Sequence, residues 1–205
     1  MTTRAARRKA PTRDERKART REELIDAAER LFTRDGFHAT SVDAVADEAG
    51  YTKGAVYSNF DSKEGLFLAL YEGRVDRAVA EMEQRLADGD PVAGITEMAS
   101  EAVLRRGQED GWLAVFFEFW AHALRRPELR ERFRAQHGRV LDVLADASAR
   151  GFALRGVEPR EDPRKLATAW NAMALGLLLE RLTQPDVVDA GLTERMMRTA
   201  FRDGG

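Results

Sequence analysis

Apolar residues recur every three or four positions along most of the chain, which is the spacing of amphipathic helices. One apolar stripe near the start ends at Gly36, and its members are Leu24, Ile25, Ala27, Ala28, Leu31 and Phe32. A second stripe ends at Gly50 and consists of Val42, Val45, Ala46 and Ala49. No segment shows a convincing strand pattern. We therefore predict an all-α fold of about nine helices.

Residues 40–66 predict two short helices that are joined by a glycine turn and followed at once by a third helix. Thr40 and Asp43 have the spacing of a capping box at the start of the first helix. Gly50 can end that helix in the left-handed conformation, and Thr52 is a suitable cap for the second. This is how a protein presents a short helix to the DNA major groove.

The second of these helices covers only residues 53–59, about two turns. Val56 and Phe60 lie one turn apart and point inward, so they can join the apolar stripe of the first helix in a small three-helix core. The outer side then carries Lys53, Gly54, Tyr57 and Ser58. We predict that this outer side contacts DNA.

The segment LIDAAERLFTRDGFHATSVDAVADEAGYTKGAVYSNFDSKEGLF resembles the DNA-binding domain of the TetR family of bacterial transcriptional regulators, over residues 24–70. Beyond this range only the helical layout and an aromatic-rich middle are similar. The resemblance implies phosphate contacts from Thr40 and Lys63, a homodimer, and an effector pocket in the C-terminal helices.

The predicted DNA-binding residues have side chains that suit phosphates or base edges. Lys53 can donate to guanine or phosphate, Gly54 permits close approach of the backbone, and Ala55 can offer its methyl group to thymine. Tyr51 has two interpretations, as a packing residue or as a DNA contact. The full predicted set is Thr40, Ser41, Thr52, Lys53, Gly54, Ala55, Tyr57, Ser58, Asn59 and Lys63.

Charge is distributed unevenly, although 33 Lys and Arg nearly balance 35 Asp and Glu. Residues 1–21 hold nine basic and two acidic side chains, whereas residues 22–70 hold four and ten. We predict a flexible basic arm over 1–20, which is either a solvated tail or a contact to phosphates or the minor groove. A helix-turn-helix domain over 21–66 and an effector-binding and dimerisation domain over 67–205 follow.

The helix predicted over residues 166–182 is apolar on nearly all sides, and the last helix adds an apolar stripe. Either both helices close the core of a monomer, or they pair with their copies in a two-fold dimer. We predict the dimer, which is also what the family resemblance implies. Its interface residues are Ala169, Ala172, Gly176, Leu179, Met196, Met197 and Phe201.

Five large aromatic residues lie within residues 112–120. They form either a solid core or the wall of a cavity for a small molecule. Glu118 and His122 are one turn apart. They are either inward polar anchors for a ligand or part of an exposed polar stripe. The predicted ligand-binding residues are Trp112, Phe116, Phe119, Trp120, His122, Trp170 and Met173.

Other chemistry has little support in the sequence. The chain has no cysteine, no glycine-rich loop after a strand and no nucleophile elbow, so we predict neither an enzyme nor a cofactor. Glu118 and His122, with His137, are the nearest approach to a metal site, but such a pair is more typical of a surface ion pair. The absence of a signal sequence and of a long apolar run predicts a cytoplasmic protein without membrane contact.

These observations predict a sequence-specific transcriptional regulator, most simply a repressor. A homodimer would bind a palindromic double-stranded DNA operator and be released by a small apolar or amphipathic effector. The effector would change the geometry of the dimer, and the long helix from Lys63 would transmit this change to the DNA-binding helices. Two alternatives stay open, a DNA-binding regulator without an effector and a helical module that binds protein.

Overall fold

The structure, a computed structural model, describes residues 12–104 and 108–202, without the side chains of residues 103, 104, 108–110, 197 and 200–202. In these ranges the chain forms only helices, which confirms the all-α prediction. None of these helices is long and apolar enough to cross a membrane. In chain order they are α1 (Arg13–Asp35), α2 (Val42–Ala49), α3 (Lys53–Asn59), α4 (Lys63–Leu86), α5 (Pro91–Leu104), α6 (Gln108–Leu124), α7 (Pro127–Arg155), α8 (Pro163–Thr183) and α9 (Ala190–Arg202).

Helix α1 begins earlier than the sequence pattern indicated. The Thr12 hydroxyl accepts from the Glu15 backbone N–H, and the Glu15 carboxylate accepts from the Thr12 N–H, so a reciprocal capping box starts the helix at Arg13. The predicted flexible arm over 1–20 is therefore wrong for residues 13–20. Residues 1–11 lie outside the described part of the chain.

The start of α2 also differs from the prediction. Ser41, not Thr40, is the cap, because its hydroxyl accepts from the Ala44 N–H at 3.1 Å. Thr40 is instead buried, and its hydroxyl donates to the Gly36 carbonyl at 2.8 Å. A buried hydroxyl needs a partner, and this carbonyl is the one within reach. Gly50 ends α2 in the left-handed conformation with φ of 72°, as predicted.

One apolar core runs from the DNA-binding helices into the C-terminal part. Phe67 of α4 stacks on Phe119 of α6 with ring centroids 4.0 Å apart, and Phe37 from the α1–α2 loop packs on both. All three side chains are fully buried. A second core cluster at the far end includes Leu86, Phe152 and Trp170. The α1–α3 unit is thus packed directly onto α4 and α6.

Candidate DNA interface and effector cavity

Helix α3 is fixed by its buried side and leaves the other side to solvent. Thr52 caps it by accepting from the Ala55 N–H at 3.2 Å, and Val56 is only 1% exposed. Tyr57 is 49% exposed, although large aromatic side chains usually bury most of their surface. The Lys53 amine lies 2.9 Å from the Asp43 carboxylate, and this hydrogen bond raises the pKa of Lys53. A lysine amine is charged at neutral pH in any case, so this pairing fixes its position and leaves its charge unchanged.

Several predicted contact residues are partly occupied within the protein. Ser41 and Thr52 use their oxygens as caps, but each hydroxyl keeps its proton for a further acceptor. Ser58 and Asn59 both donate to the Ala55 carbonyl, at 2.9 and 2.8 Å. Gly54 is exposed and Ala55 is half-buried. A line of hydroxyl, amide and ammonium groups results along α2 and α3.

Lys63 occupies a more internal position than the predicted phosphate contact requires. Its amine donates to the carbonyls of Phe37 and Thr40 at 2.9 and 3.0 Å, with His38 O at 3.4 Å, and lies over the Phe37 ring. Partial burial lowers the pKa of this amine. Lys63 therefore ties the start of α4 to the loop after α1.

Tyr51, for which two roles were open, packs on α1. Its hydroxyl donates to the Glu23 carboxylate and accepts from the Thr20 hydroxyl at 3.3 Å. Both partners lie on the N-terminal half of α1. The structure therefore favours the packing role.

A cavity of about 670 Å³, partly open to solvent, lies among α1, α4, α5, α6, α7 and α8. This volume is within the range of about 300 to 1,000 Å³ that small-molecule sites occupy. Its apolar wall includes Trp112, Leu113, Phe116, Val140, Leu175 and Leu178. Glu29 and Thr33 of α1 also line it, so the cavity reaches the DNA-binding unit itself.

Only two of the predicted ligand residues, Trp112 and Phe116, line this cavity. Phe119 is buried against Phe67, and Trp120 packs on Phe133, with ring centroids 5.4 Å apart. Trp170 and Met173 belong to the second core cluster, and His122 bonds Glu64 at the start of α4. These five side chains are placed elsewhere because α6 and α8 each present different faces to different neighbours.

The aromatic segment of the sequence did not indicate which polar residues line the cavity. Tyr71 and His137 are joined by a 3.1 Å hydrogen bond, and the Asn171 amide lies 3.5 Å from the other His137 ring nitrogen. Charged lining residues are Glu29, Arg74, Arg77, Glu81 and Arg181. These residues are far apart in sequence and carry no shared motif, so only the packed fold brings them together.

Glu118 and His122 have polar partners within the protein. The Glu118 carboxylate accepts from the backbone N–H groups of Phe37 and His38, at 2.8 and 3.4 Å. His122 Nε2 lies 3.0 Å from Glu64. No cluster of three metal-ligating side chains occurs in the described ranges. Glu118 therefore attaches α6 to the end of α1.

His137 should make stability depend on pH. Burial and the nearby Arg164 charge lower its pKa, so the unfolded chain takes up this proton near pH 6.5 while the folded chain resists it. The free energy of unfolding should therefore fall as the pH drops below about 6.5.

Urea unfolding at pH 7.5 and 5.5 should show a smaller decrease in the free energy of unfolding for His137→Asn than for the wild type. His38→Asn, at an exposed histidine, should keep the wild-type decrease. Equal decreases in all three proteins would contradict this assignment.

The predicted dimer residues on α8 form one exposed face. Ala169, Ala172, Gly176 and Leu179 are all exposed, and Leu179 retains 43% of its surface. The opposite face of α8 is buried through Leu166 and Trp170. Met196 of α9 is 40% exposed, while the side chains of Met197 and Phe201 lie outside the described part.

A capped pair of short helices with an exposed second helix, mounted on a helical domain with a cavity, defines a DNA-binding regulator of the helix-turn-helix class. Two family models match the chain. The model for bacterial regulatory proteins of the tetR family matches residues 24–70, and that for the C-terminal part of BetI-type transcriptional repressors matches residues 91–203. The chain belongs to the TetR family of bacterial regulatory proteins, as the sequence resemblance predicted.

Individual relatives agree with this assignment. The HTH-type transcriptional repressor AcnR of Corynebacterium diphtheriae is 31% identical over 122 residues, which are 60% of this chain and 59% of that protein. The aligned part is thus less than two thirds of that relative. Curated relatives of this kind are transcriptional regulators, not enzymes.

Solved structures share the fold at low sequence identity. A putative transcriptional regulator from Saccharomonospora viridis in complex with choline has a TM-score of 0.74 at 20% identity, covering 91% of this chain and 97% of that one. FadR from Bacillus subtilis in complex with stearoyl-CoA has a TM-score of 0.67 at 17% identity, covering 90% and 98%.

Proposed function

We propose that this protein is a dimeric repressor that binds a palindromic operator through α3 and leaves it when a small molecule enters the cavity. The observation that carries this proposal is the placement of the cavity, whose wall includes Glu29 and Thr33 of α1. A ligand there touches the DNA-binding unit directly. Trp112 and Phe116 border this volume, and such an apolar wall favours this function over a regulator without an effector.

The DNA-binding part of the proposal rests on the exposed side of α3. Lys53 and Tyr57 extend from it, and the hydroxyls of Ser41 and Thr52 have protons to donate to phosphates. One such helix makes too few contacts for strong sequence specificity. Two copies that read two half-sites supply the remainder, and the basic residues 1–21 add sequence-independent attraction to phosphate.

The dimer forms, in this proposal, through the exposed face of α8 together with α9. Small residues at 169, 172 and 176 let two copies of α8 approach closely, and Leu179 would become buried. TetR-family regulators bind DNA and dimerise, which supports the same arrangement here. The structures with choline and stearoyl-CoA show that this fold accommodates small ligands. An effector for this chain is consistent with them.

Tyr57→Ala should weaken operator binding by about 1 to 3 kcal/mol, because an exposed hydroxyl and ring are removed from the DNA-facing side. Recovery of bound genomic fragments and footprinting would first supply the operator, and fluorescence anisotropy would then give both affinities. Folding should be unaffected, since the side chain is half exposed in the free protein.

Val187→Ala is the matched control, because Val187 is 62% exposed and lies far along the chain from α3. Its operator affinity should equal that of the wild type. A salt-independent affinity of the wild type for duplex DNA would instead support a protein-binding module. Equal binding by Tyr57→Ala and wild type would remove Tyr57 from the interface.

A further inference from the structure

Arg74 joins the cavity to the DNA-binding unit. Its guanidinium donates to the Glu29 carboxylate of α1 and lies over the Trp112 ring of α6, 4.1 Å from the ring centroid. The side chains of Arg74 and Glu29 are only 21% and 26% exposed, so this ion pair is poorly screened by solvent. One side chain of α4 thus holds α1 and α6 together at the cavity wall.

Two further contacts make α6 a direct neighbour of α1. A side chain at Gly111 would lie 2.7 Å from the Thr33 carbonyl, so the two helices approach as closely as glycine permits. At the other end of the contact, Glu118 holds the N–H groups of Phe37 and His38. A displacement at Trp112 therefore reaches α1 without passing along the whole of α4.

The charges around the cavity favour an anion. Glu29 is compensated by Arg74, and Glu81 lies 3.3 Å from Arg85. Arg77 also lines the cavity, is exposed, and makes no ion pair with any residue in the described part of the chain. A cationic ligand would have to displace Arg74 from both a carboxylate and a ring while facing Arg77. An acid group would meet guanidinium donors instead.

We propose that the cavity binds an amphipathic organic anion whose apolar body packs on Trp112 and Phe116, and whose acid group draws Arg74 away from Glu29. Loss of the Arg74 bond lets α1 shift against α4 and so changes the position of α3. This inference rests on the proposed function, because it names the ligand class and the coupling for the same cavity. Arg74 acts as the switch, because the ligand acid competes with Glu29 for the same guanidinium.

Three probes of equal chain length test the ligand class, namely decanoate, decanol and decyltrimethylammonium. Calorimetric titration at pH 7.5, below the concentrations at which they form micelles, should show decanoate binding at least about ten-fold more tightly than the other two. Arg74→Gln should remove most of this preference, because Arg74 is the residue that binds the acid group. Equal affinities, a preference for the cation or no binding of any probe would overturn the proposed class.

Glu29→Gln tests the coupling. In the wild type, decanoate should weaken operator binding about five-fold or more, which is the lower end of typical coupling between sites. In Glu29→Gln the affinity without probe should already be lower, and the decrease on adding decanoate should be less than about half the wild-type factor. Asp26→Asn makes a similar charge change at an exposed position of the same helix and should keep the wild-type response.

A full wild-type response in Glu29→Gln would overturn the role of the Arg74 bond. Failure of the wild type to bind any duplex would overturn the proposed function instead. The probe titrations need no DNA, so in that case they still decide whether the cavity prefers an anion. The two failures are therefore distinguishable.

Discussion

Replacing Ala172 with glutamate is expected to convert the proposed dimer into monomers and to weaken binding to the proposed two-half-site operator by about 100-fold or more. Ala172 lies exposed in the middle of the apolar face of α8. In a two-fold dimer each copy would place its carboxylate against the other, within a surface that has little polar partner for it. Sedimentation velocity and anisotropy on the same samples would measure both effects.

Two controls test whether the weaker DNA binding comes from loss of the dimer. Binding to a single half-site should be unchanged, because each monomer keeps its own α3. Ala80→Glu adds the same charge at an exposed alanine of α4 and should leave the dimer intact. If Ala172→Glu stayed dimeric, the interface would have to lie on another surface.

Phe119→Ala is expected to lower the free energy of unfolding by about 3 to 5 kcal/mol. Phe119 is fully buried, and its ring contacts both Phe67 and Phe37 at the junction of the two parts of the chain. Removing it leaves a cavity that the stacked rings cannot easily fill, because Phe37 is also held by its backbone bond to Glu118. Chemical unfolding monitored by circular dichroism would give the value.

Leu154→Ala is the control, since Leu154 is 70% exposed and should change stability by less than about 0.5 kcal/mol. Phe119→Ala should also make the unfolding of the α1–α3 unit separable from that of the remaining helices, because the shared core is interrupted. A loss below about 1 kcal/mol would show that the junction repacks freely.

Local patterns in the sequence were sufficient for most of the helix-turn-helix unit, although its first cap is Ser41 and not the predicted Thr40. The glycine at the end of α2, the Thr52 cap and the inward Val56 depend on neighbours within one or two turns, and the structure has all three. The prediction of where α1 begins was wrong, and the reason is also local. Its first turns carry almost no apolar residues, so the Thr12 and Glu15 capping box was the only local signal.

The cavity depends on contacts between distant parts of the chain, and here sequence patterns were insufficient. Glu29 and Arg74 are 45 residues apart, and Tyr71 and His137 are 66 apart. The aromatic segment borders the cavity, but which of its faces does so depends on how α6 rotates against α1 and α4. Trp112 and Phe116 face the cavity, whereas Phe119 faces the shared core.

The continuous core of Phe37, Phe67 and Phe119 limits how this regulator can be recombined with its relatives. A hybrid that joins this DNA-binding unit to the effector helices of another family member, cut near residue 70, would lose Phe119 and the Glu118 acceptor together. The DNA-binding unit of the hybrid would then pack against the α6 of the other protein. Functional chimeras should therefore require α6 to be exchanged together with α1–α4, so the unit that can be transplanted is larger than the motif that contacts DNA.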